Sequence, residues 1–284
     1  MKRSDILVSA TELAALLTDE QVLLADCRFS LQDAEAGERD YAAAHIPTAL
    51  YWHLNHDLSG PKQSSGGRHP LPDAQCFEVT MRDKGLNSNQ WVVLYDDNRG
   101  LFASRAWWML HYFGHHKVLL LDGGLAGWCA AGFDTSDDVS LPVGDGDFTA
   151  RANNTAVAHF DEVHASLANG SLTLVDAREA PRFLGLEEPI DPIAGHIPGA
   201  FNLPASETTD AQGYWLSDDA QSARWVDVPV NKPVVLYCGS GVTACSNAVS
   251  RALANMPDGK LYPGSWSDWC RQPNAPIAPG AQLK

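Results

Sequence analysis

No stretch of the chain reaches the ~18 consecutive apolar residues that crossing a bilayer requires. The apolar run near its start, residues 6–8, is far too short for the hydrophobic core of a secretion signal. Positive charge is scarce: 20 Lys and Arg stand against 35 Asp and Glu, for a net charge of -15, which repels phosphate backbones and anionic lipid surfaces. No C-x-x-C pair occurs among Cys27, Cys76, Cys129, Cys238, Cys245 and Cys270, which argues against a zinc ribbon or a thioredoxin-type dithiol. Charged residues at 19% and hydrophobic ones at 45% are close to globular averages and exclude wholesale disorder. The expectation is a soluble, cytoplasmic protein with free thiols and no nucleic-acid or membrane partner. Its 284 residues are enough for two cores.

What is present is a repeat. Leu24-Ala-Asp26-Cys-Arg28 matches Leu174-Val-Asp176-Ala-Arg178, and His45-Ile-Pro47 matches His196-Ile-Pro198. Further on, Val92-Val-Leu-Tyr95 matches Val234-Val-Leu-Tyr237, and Asp122-Gly-Gly-Leu-Ala-Gly-Trp128 matches Pro263-Gly-Ser-Trp-Ser-Asp-Trp269. Four matches in the same order imply two copies of one fold.

Each copy alternates amphipathic helices with short apolar runs. Ser9-Ala-Thr-Glu12 is a capping-box pattern ahead of Leu13, Leu16 and Leu17. Phe160, Val163, His164 and Leu167 make the equivalent stripe, stopped at Asn169-Gly170. Residues 22–25, 92–95, 172–175 and 234–237 read as buried strands. Helices follow on the stripes Ala103, Ala106, Trp107, Leu110 and Cys245, Ala248, Val249, Ala252, Leu253. The fold class is therefore α/β, with a mainly parallel central sheet flanked by helices in each half. Residues 136–156, rich in Asp, Gly and Asn and without periodicity, separate the halves.

A duplicated chain carries its own control: features in both copies build the fold, and a feature in one copy is a candidate for chemistry. By that test Asp26/Asp176, Arg28/Arg178 and His45/His196 are structural. The asymmetry follows the matched Val-Val-Leu-Tyr strands, where one copy has Asp96-Asp-Asn-Arg-Gly100 and the other Cys238-Gly-Ser-Gly-Val-Thr243. A cysteine at the carboxyl end of a parallel strand sits where open α/β sheets bind ligands. Gly239 and Gly241 let the backbone turn successive N–H groups inward, and the helix that follows adds its positive end. Together these should depress the Cys238 thiol from ~8.5 toward neutrality and make it a nucleophile. The other five cysteines read as small buried apolar residues, Cys245 above all.

These residues resemble the two-domain rhodanese family over nearly the whole chain. Cys238-Gly-Ser-Gly-Val-Thr243 is similar to the active-site loop of its 3-mercaptopyruvate sulfurtransferases, and the paired Asp-x-Arg, His-Ile-Pro and Pro-Gly-Ser-Trp-Ser-Asp-Trp269 motifs fit the same family. The resemblance implies a tandem of rhodanese-like domains. These are an inactive one at 1–138 with Asp96 in the cysteine position, a linker at 139–156, and a catalytic one at 157–284. It implies that Cys238 takes sulfur from 3-mercaptopyruvate, releases pyruvate and hands the sulfur of its persulfide to cyanide or a thiol acceptor, thioredoxin-like proteins included. No metal or organic cofactor is implied.

Thiosulfate is the alternative donor, but a loop of Gly239, Ser240, Gly241, Val242 and Thr243 offers it no cation, and a monocarboxylate held from outside the loop fits better. Arg182, which has Gln32 as its counterpart in the first copy, is the candidate for that contact. A second family arginine is replaced here by Ile190. The family's proposed proton relay maps onto Ser240, His69 and Asp57, with Arg68 as a further contributor to the anion site. A noncatalytic binding module is the reading from a different class. A phosphatase is disfavoured, since no arginine closes the loop after Thr243 and the next is Arg251.

Overall fold

The two apolar runs that open the repeats, and the two Val-Val-Leu-Tyr runs, become central strands because both faces of each are covered by helices. The computed structural model describes residues 2–17, 21–229 and 231–278, so the chain ends fall outside them. It divides into two compact units. One comprises Met1–Gly60, Pro72–Asn153 and Thr209–Leu216, and the other Pro61–Leu71, Asn154–Thr208 and Ser217–Lys284.

The first unit contains β1 (Leu7–Val8), α1 (Ala10–Leu16), β2 (Val22–Asp26), α2 (Ala36–Ala43), β3 (Leu50–Tyr51), α3 (Ala74–Asp83), β4 (Trp91–Tyr95), α4 (Ala103–Tyr112), β5 (Val118–Leu121) and α5 (Gly124–Ala130). Its strands form one parallel sheet in the order β1-β5-β4-β2-β3. Ser9 and Glu12 close the expected capping box on α1. The second unit contains α6 (Phe160–Asn169), β6 (Thr173–Asp176), α7 (Ala180–Phe183), β7 (Phe201–Asn202), α8 (Asp218–Arg224), β8 (Val234–Tyr237), α9 (Ala244–Leu253), β9 (Lys260–Leu261) and α10 (Ser265–Trp269). Its parallel sheet runs β7-β6-β8-β9, and a single bridge from Val157 to Leu261 stands where the first unit has β1. In both units the central pair is in the same register: Asp26 lies opposite Tyr95, and Asp176 opposite Tyr237.

The shared motifs form one buried clasp, made twice. Arg28 folds back on Asp26 through Nε and Nη2, the latter at 2.7 Å, and Nη2 also donates to the carbonyl of Ala44. Arg178 does the same to Asp176, again with Nη2 at 2.7 Å, and to the carbonyl of Gly195. The tyrosine ending the central strand then fixes the next turn: Tyr95 Oη accepts from Ile46 N, and Tyr237 Oη from Ile197 N. Burial drives both phenols well above their ordinary range, so they stay neutral. The duplicated Asp and Arg residues are thus structural, as the repeat test indicates, and His45 and His196 each place Nδ1 at 2.7 Å from a backbone carbonyl, of Tyr41 and Phe183.

The chain distributes itself between the units differently from the expected 1–138, 139–156 and 157–284. The segment 139–153 is part of the first unit, as a strap. Phe148 is buried against Phe77 and His115, its N–H donates to Leu86 O, and its carbonyl accepts from Arg82 Nε at 2.7 Å. Gly146 passes so close to Leu86 that a Cβ would lie 1.9 Å from its carbonyl oxygen, so no other residue fits. Two exchanges accompany this: residues 61–71 group with the second unit and residues 209–216 with the first. In the latter, Trp215 N donates to Asp122 Oδ1 at 2.8 Å and Arg3 donates to the Trp215 and Leu216 carbonyls. Among the described residues no helix is long and apolar enough to cross a membrane.

Asp26→Ala would leave the Arg28 guanidinium buried without its counter-charge. It should cost about 3–5 kcal/mol, measured as a lower denaturant midpoint. A loss below about 1 kcal/mol, the size of an exposed ion pair, would show that the clasp does not hold the strand end.

Candidate active site

The register of the central strands puts Asp96 and Cys238 at the same place, one residue past the carboxyl edge of the sheet and at the start of the loop into the next helix. In the first unit the loop closes on Asp96. One carboxylate oxygen accepts from the N–H groups of Asn98 and Gly100, the other from those of Phe102 and Ala103, all at 2.8–2.9 Å. Asp96 is buried, which pushes its carboxyl up, while the four N–H bonds pull it back down. The loop is a cradle for an anion, filled by a side chain of its own.

In the second unit the loop is one residue shorter and opens on Cys238, of which 2% is exposed. Its backbone is pinned at both ends: Cys238 N donates to Ser265 Oγ, while Trp266 N and Ser267 N donate to the carbonyls of Cys238 and Gly239. The Pro-Gly-Ser-Trp-Ser-Asp-Trp269 motif is therefore the floor of the loop. Gly241 has φ +75° and sits so near Pro263 that a Cβ would lie 2.6 Å from its carbonyl oxygen. Gly239 does not adopt a positive φ, contrary to the expectation for it. Its lack of a side chain serves another purpose, because the position of a Cβ would be 3.0 Å from Arg68 Nη2 and 3.5 Å from Arg182 Nη1. Two guanidinium groups thus face the loop. Val242 is buried, and Thr243 stands at the start of α9 without a side-chain cap.

Residues 61–71 supply part of this site from within the second unit. Gly66 N donates to Asp268 Oδ1 and Arg68 N to Ser267 Oγ, which seats the segment on α10. His69, 5% exposed, then places Nδ1 at 2.8 Å from Ser240 Oγ. Asp57 belongs to the first unit, where its carboxylate accepts from His53 N at 2.7 Å and pairs with Lys84 at 2.9 Å.

Arg182 is not an isolated cation. Its Nε and Nη2 bind Glu188, the closer contact being 2.6 Å, and Nη2 also reaches Asp191 at 3.4 Å. Arg68 pairs through Nη1 with the other oxygen of Asp191. Glu188 in turn meets Arg178 at 3.2 Å. Burial works against the charge on Glu188, but bonds from Arg182 and from the N–H groups of Asp191 and Ile190 hold its carboxyl below the usual carboxylate range. Neither Glu188 nor Asp191 was among the expected site residues. The signal was there in Glu188-Pro-Ile-Asp191, two acids flanking a position where an arginine was looked for.

The remaining cysteines divide. Cys27 is buried, and burial, Asp26 and Asp96 push its thiol well up. Burial and Asp191 raise Cys270, and Cys245 donates to Gly241 O from a fully buried position. Cys76 and Cys129 correct the expectation of burial: both are exposed, Cys76 in the first turn of α3 and Cys129 on α5 beside the inward-facing Trp128. Away from this site, Glu35, His53 and His56 bring three potential metal-ligand atoms within 4.8 Å of one another. His53 already uses one ring nitrogen on Ala34 O and the other on Asn55 N, which leaves it poorly placed to bind an ion.

Two α/β repeats, of which one closes its loop on a carboxylate and the other opens it on a cysteine, define a tandem protein with a single thiol centre. Residues 9–131 and 159–272 match the Rhodanese-like domain family, and the chain belongs to that family. It is 43% identical to a Pseudomonas aeruginosa protein named "Probable 3-mercaptopyruvate sulfurtransferase", over 96% of this chain and 98% of that one. It is 34% identical to the 3-mercaptopyruvate sulfurtransferase of Escherichia coli K12, over 96% and 97%. The crystal structure of SseA, a 3-mercaptopyruvate sulfurtransferase from Escherichia coli, superposes with a TM-score of 0.82 at 33% identity, over 92% of this chain and 98% of that one.

Two outcomes follow for the folded protein. A bulky maleimide should label Cys76 and Cys129 in the native state and Cys27, Cys245 and Cys270 only on unfolding, as mapped by peptide mass. Labelling of Cys27 or Cys245 as fast as that of Cys76 would contradict their burial. Since the Glu188 carboxyl is depressed on folding, its contribution is complete above the unfolded value near 4.5 and is lost as pH falls below it. Glu188→Gln should therefore flatten the acid limb of the stability–pH curve.

Proposed function

We propose that this protein is a sulfurtransferase that moves a sulfur atom from 3-mercaptopyruvate through a persulfide on Cys238 to a thiol or cyanide. The observation that carries the reading is the pair of loops. Where Asp96 brings its own carboxylate to a ring of main-chain N–H groups, Cys238 brings a thiol to the equivalent place. The start of α9 adds positive potential around it, and two guanidiniums aim N–H groups at the loop. A thiolate there is the counterpart of the Asp96 carboxylate, and it is a nucleophile.

In the first step the Cys238 thiolate attacks the donor sulfur, and the carbon–sulfur bond breaks with its electron pair moving into an enolate of pyruvate. The proton of the donor thiol ends on that carbon, so the products are the Cys238 persulfide anion and pyruvate. Ser240 and His69, already hydrogen-bonded, are the groups through which this proton passes. Asp57 is a weaker candidate for that relay, since its described partners are His53 and Lys84. In the second step cyanide or a thiolate, that of a thioredoxin-like protein included, takes the outer sulfur and returns the thiolate. Arg182 and Arg68 hold the donor carboxylate through nitrogens not committed to Glu188 and Asp191. Loop atoms of residues 239–243 line the reacting sulfur. Six free cysteines agree with a cytoplasmic location.

Thiosulfate is the second reading, because two arginines at the loop rather than one are what a dianion would use. Incubation with 3-mercaptopyruvate should add one sulfur atom to Cys238 by mass and release pyruvate, and Cys238→Ser should abolish both. Absence of adduct and pyruvate would leave a noncatalytic module. Arg182→Ala should weaken donor binding by about 1.5–3 kcal/mol, seen as a higher KM with kcat less affected. An unchanged KM would remove Arg182 from the carboxylate site.

A further inference from the structure

Asp191 is the unexplained charge at this site. Its carboxylate is fully buried, it is bonded on one oxygen by Arg68 and approached on the other by Arg182, and its own N–H donates to Glu188. A binding site for anions gains nothing from a buried carboxylate between its two cations unless the carboxylate limits how much negative charge the site accepts.

The charges here can be counted from their contacts. Arg68, Arg178 and Arg182 stand against Asp176, Glu188 and Asp191, and each is in contact with a partner of opposite sign. The cluster is balanced before a donor or a thiolate is added. Both arginines therefore offer directed N–H bonds toward Gly239 with little surplus positive charge behind them. Such a site suits one carboxylate, which needs geometry. It does not suit a compact dianion, which needs net charge to repay its larger dehydration cost beside an anionic thiol.

We propose that Asp191 is a positioning residue that sets donor choice: by bridging Arg68 and Arg182 it holds both guanidiniums at the loop and cancels enough of their charge to favour a monoanionic donor over dianionic thiosulfate. The inference rests on the sulfurtransferase reading and deepens it. It also gives a role to the position next to Ile190, where the family arginine is absent. Arg68, coming from the 61–71 segment, supplies the second cation, and Asp191 restrains it.

The test compares kcat/KM for thiosulfate and 3-mercaptopyruvate in the wild type, Asp191→Asn and Asp191→Glu, with thermal unfolding of each. Asp191→Asn, which keeps the shape and removes the charge, should raise the thiosulfate-to-mercaptopyruvate ratio on the order of tenfold or more, as expected for one uncancelled charge near a partly desolvated anion. Asp191→Glu should keep the ratio near wild type. An equal fall with both donors in Asp191→Asn would mean that Asp191 only props the arginines, and would overturn the proposal. Should Asp191→Asn not fold, wild-type inhibition decides. At matched ionic strength pyruvate should compete with 3-mercaptopyruvate more strongly than inorganic sulfate does, and equal or stronger inhibition by sulfate overturns the proposal. A wild type that forms no Cys238 sulfur adduct with either donor removes the sulfurtransferase reading itself, whereas normal turnover with an unchanged ratio removes only the role of Asp191.

Discussion

Charges taken out of water must be paired, and in the second unit this requirement runs as one chain of alternating sign from the end of β6 to the Cys238 loop. Asp176 meets Arg178, Arg178 meets Glu188, Glu188 meets Arg182, and Asp191 joins Arg182 to Arg68. Each member is costly to bury alone, and each fixes the next. Among the described residues, the first repeat shows the opening pair of this chain, Asp26 and Arg28, without the further links. The remainder is what the second repeat adds, and it carries positive groups to the one loop that begins with a thiol. The structural clasp and the surroundings of the Cys238 loop are therefore parts of the same electrostatic network.

The first repeat shows how the loop closes around a carboxylate of its own. Four N–H groups converge, and in a buried position they require an acceptor, which Asp96 provides. In the second unit a cysteine stands at the same place after the central strand, and the loop into the next helix is one residue shorter. Duplication leaves both solutions in one molecule.

The sequence made the repeated parts of the fold legible because each is local or nearly so. Apolar runs mark β2, β4, β6 and β8, the Ser9 capping box marks α1, and Gly170 marks the end of α6. Short edge strands such as β3 and β7, two residues each, left no periodic pattern to read. Cys238 stood out by asymmetry against Asp96, and Arg182 by asymmetry against Gln32. Asp191 did not, because a buried carboxylate is recognised by what surrounds it, and its partner Arg68 lies 123 residues away. The 139–153 strap was hidden for the opposite reason. Its composition is that of a loop, and only Phe148 and the tight passage at Gly146 bind it to the first unit. Gly239 does not use the backbone freedom expected of it, and its missing side chain instead leaves clearance for two guanidiniums.

The seating of residues 61–71 on α10 means that the duplication can no longer be undone with scissors. Arg68 and His69 are encoded in the first half of the chain yet packed in the second unit, so a cut at the boundary between the repeats would deliver Cys238 on one fragment and its neighbours on the other. The thiol-bearing half of the chain is therefore not a self-sufficient piece.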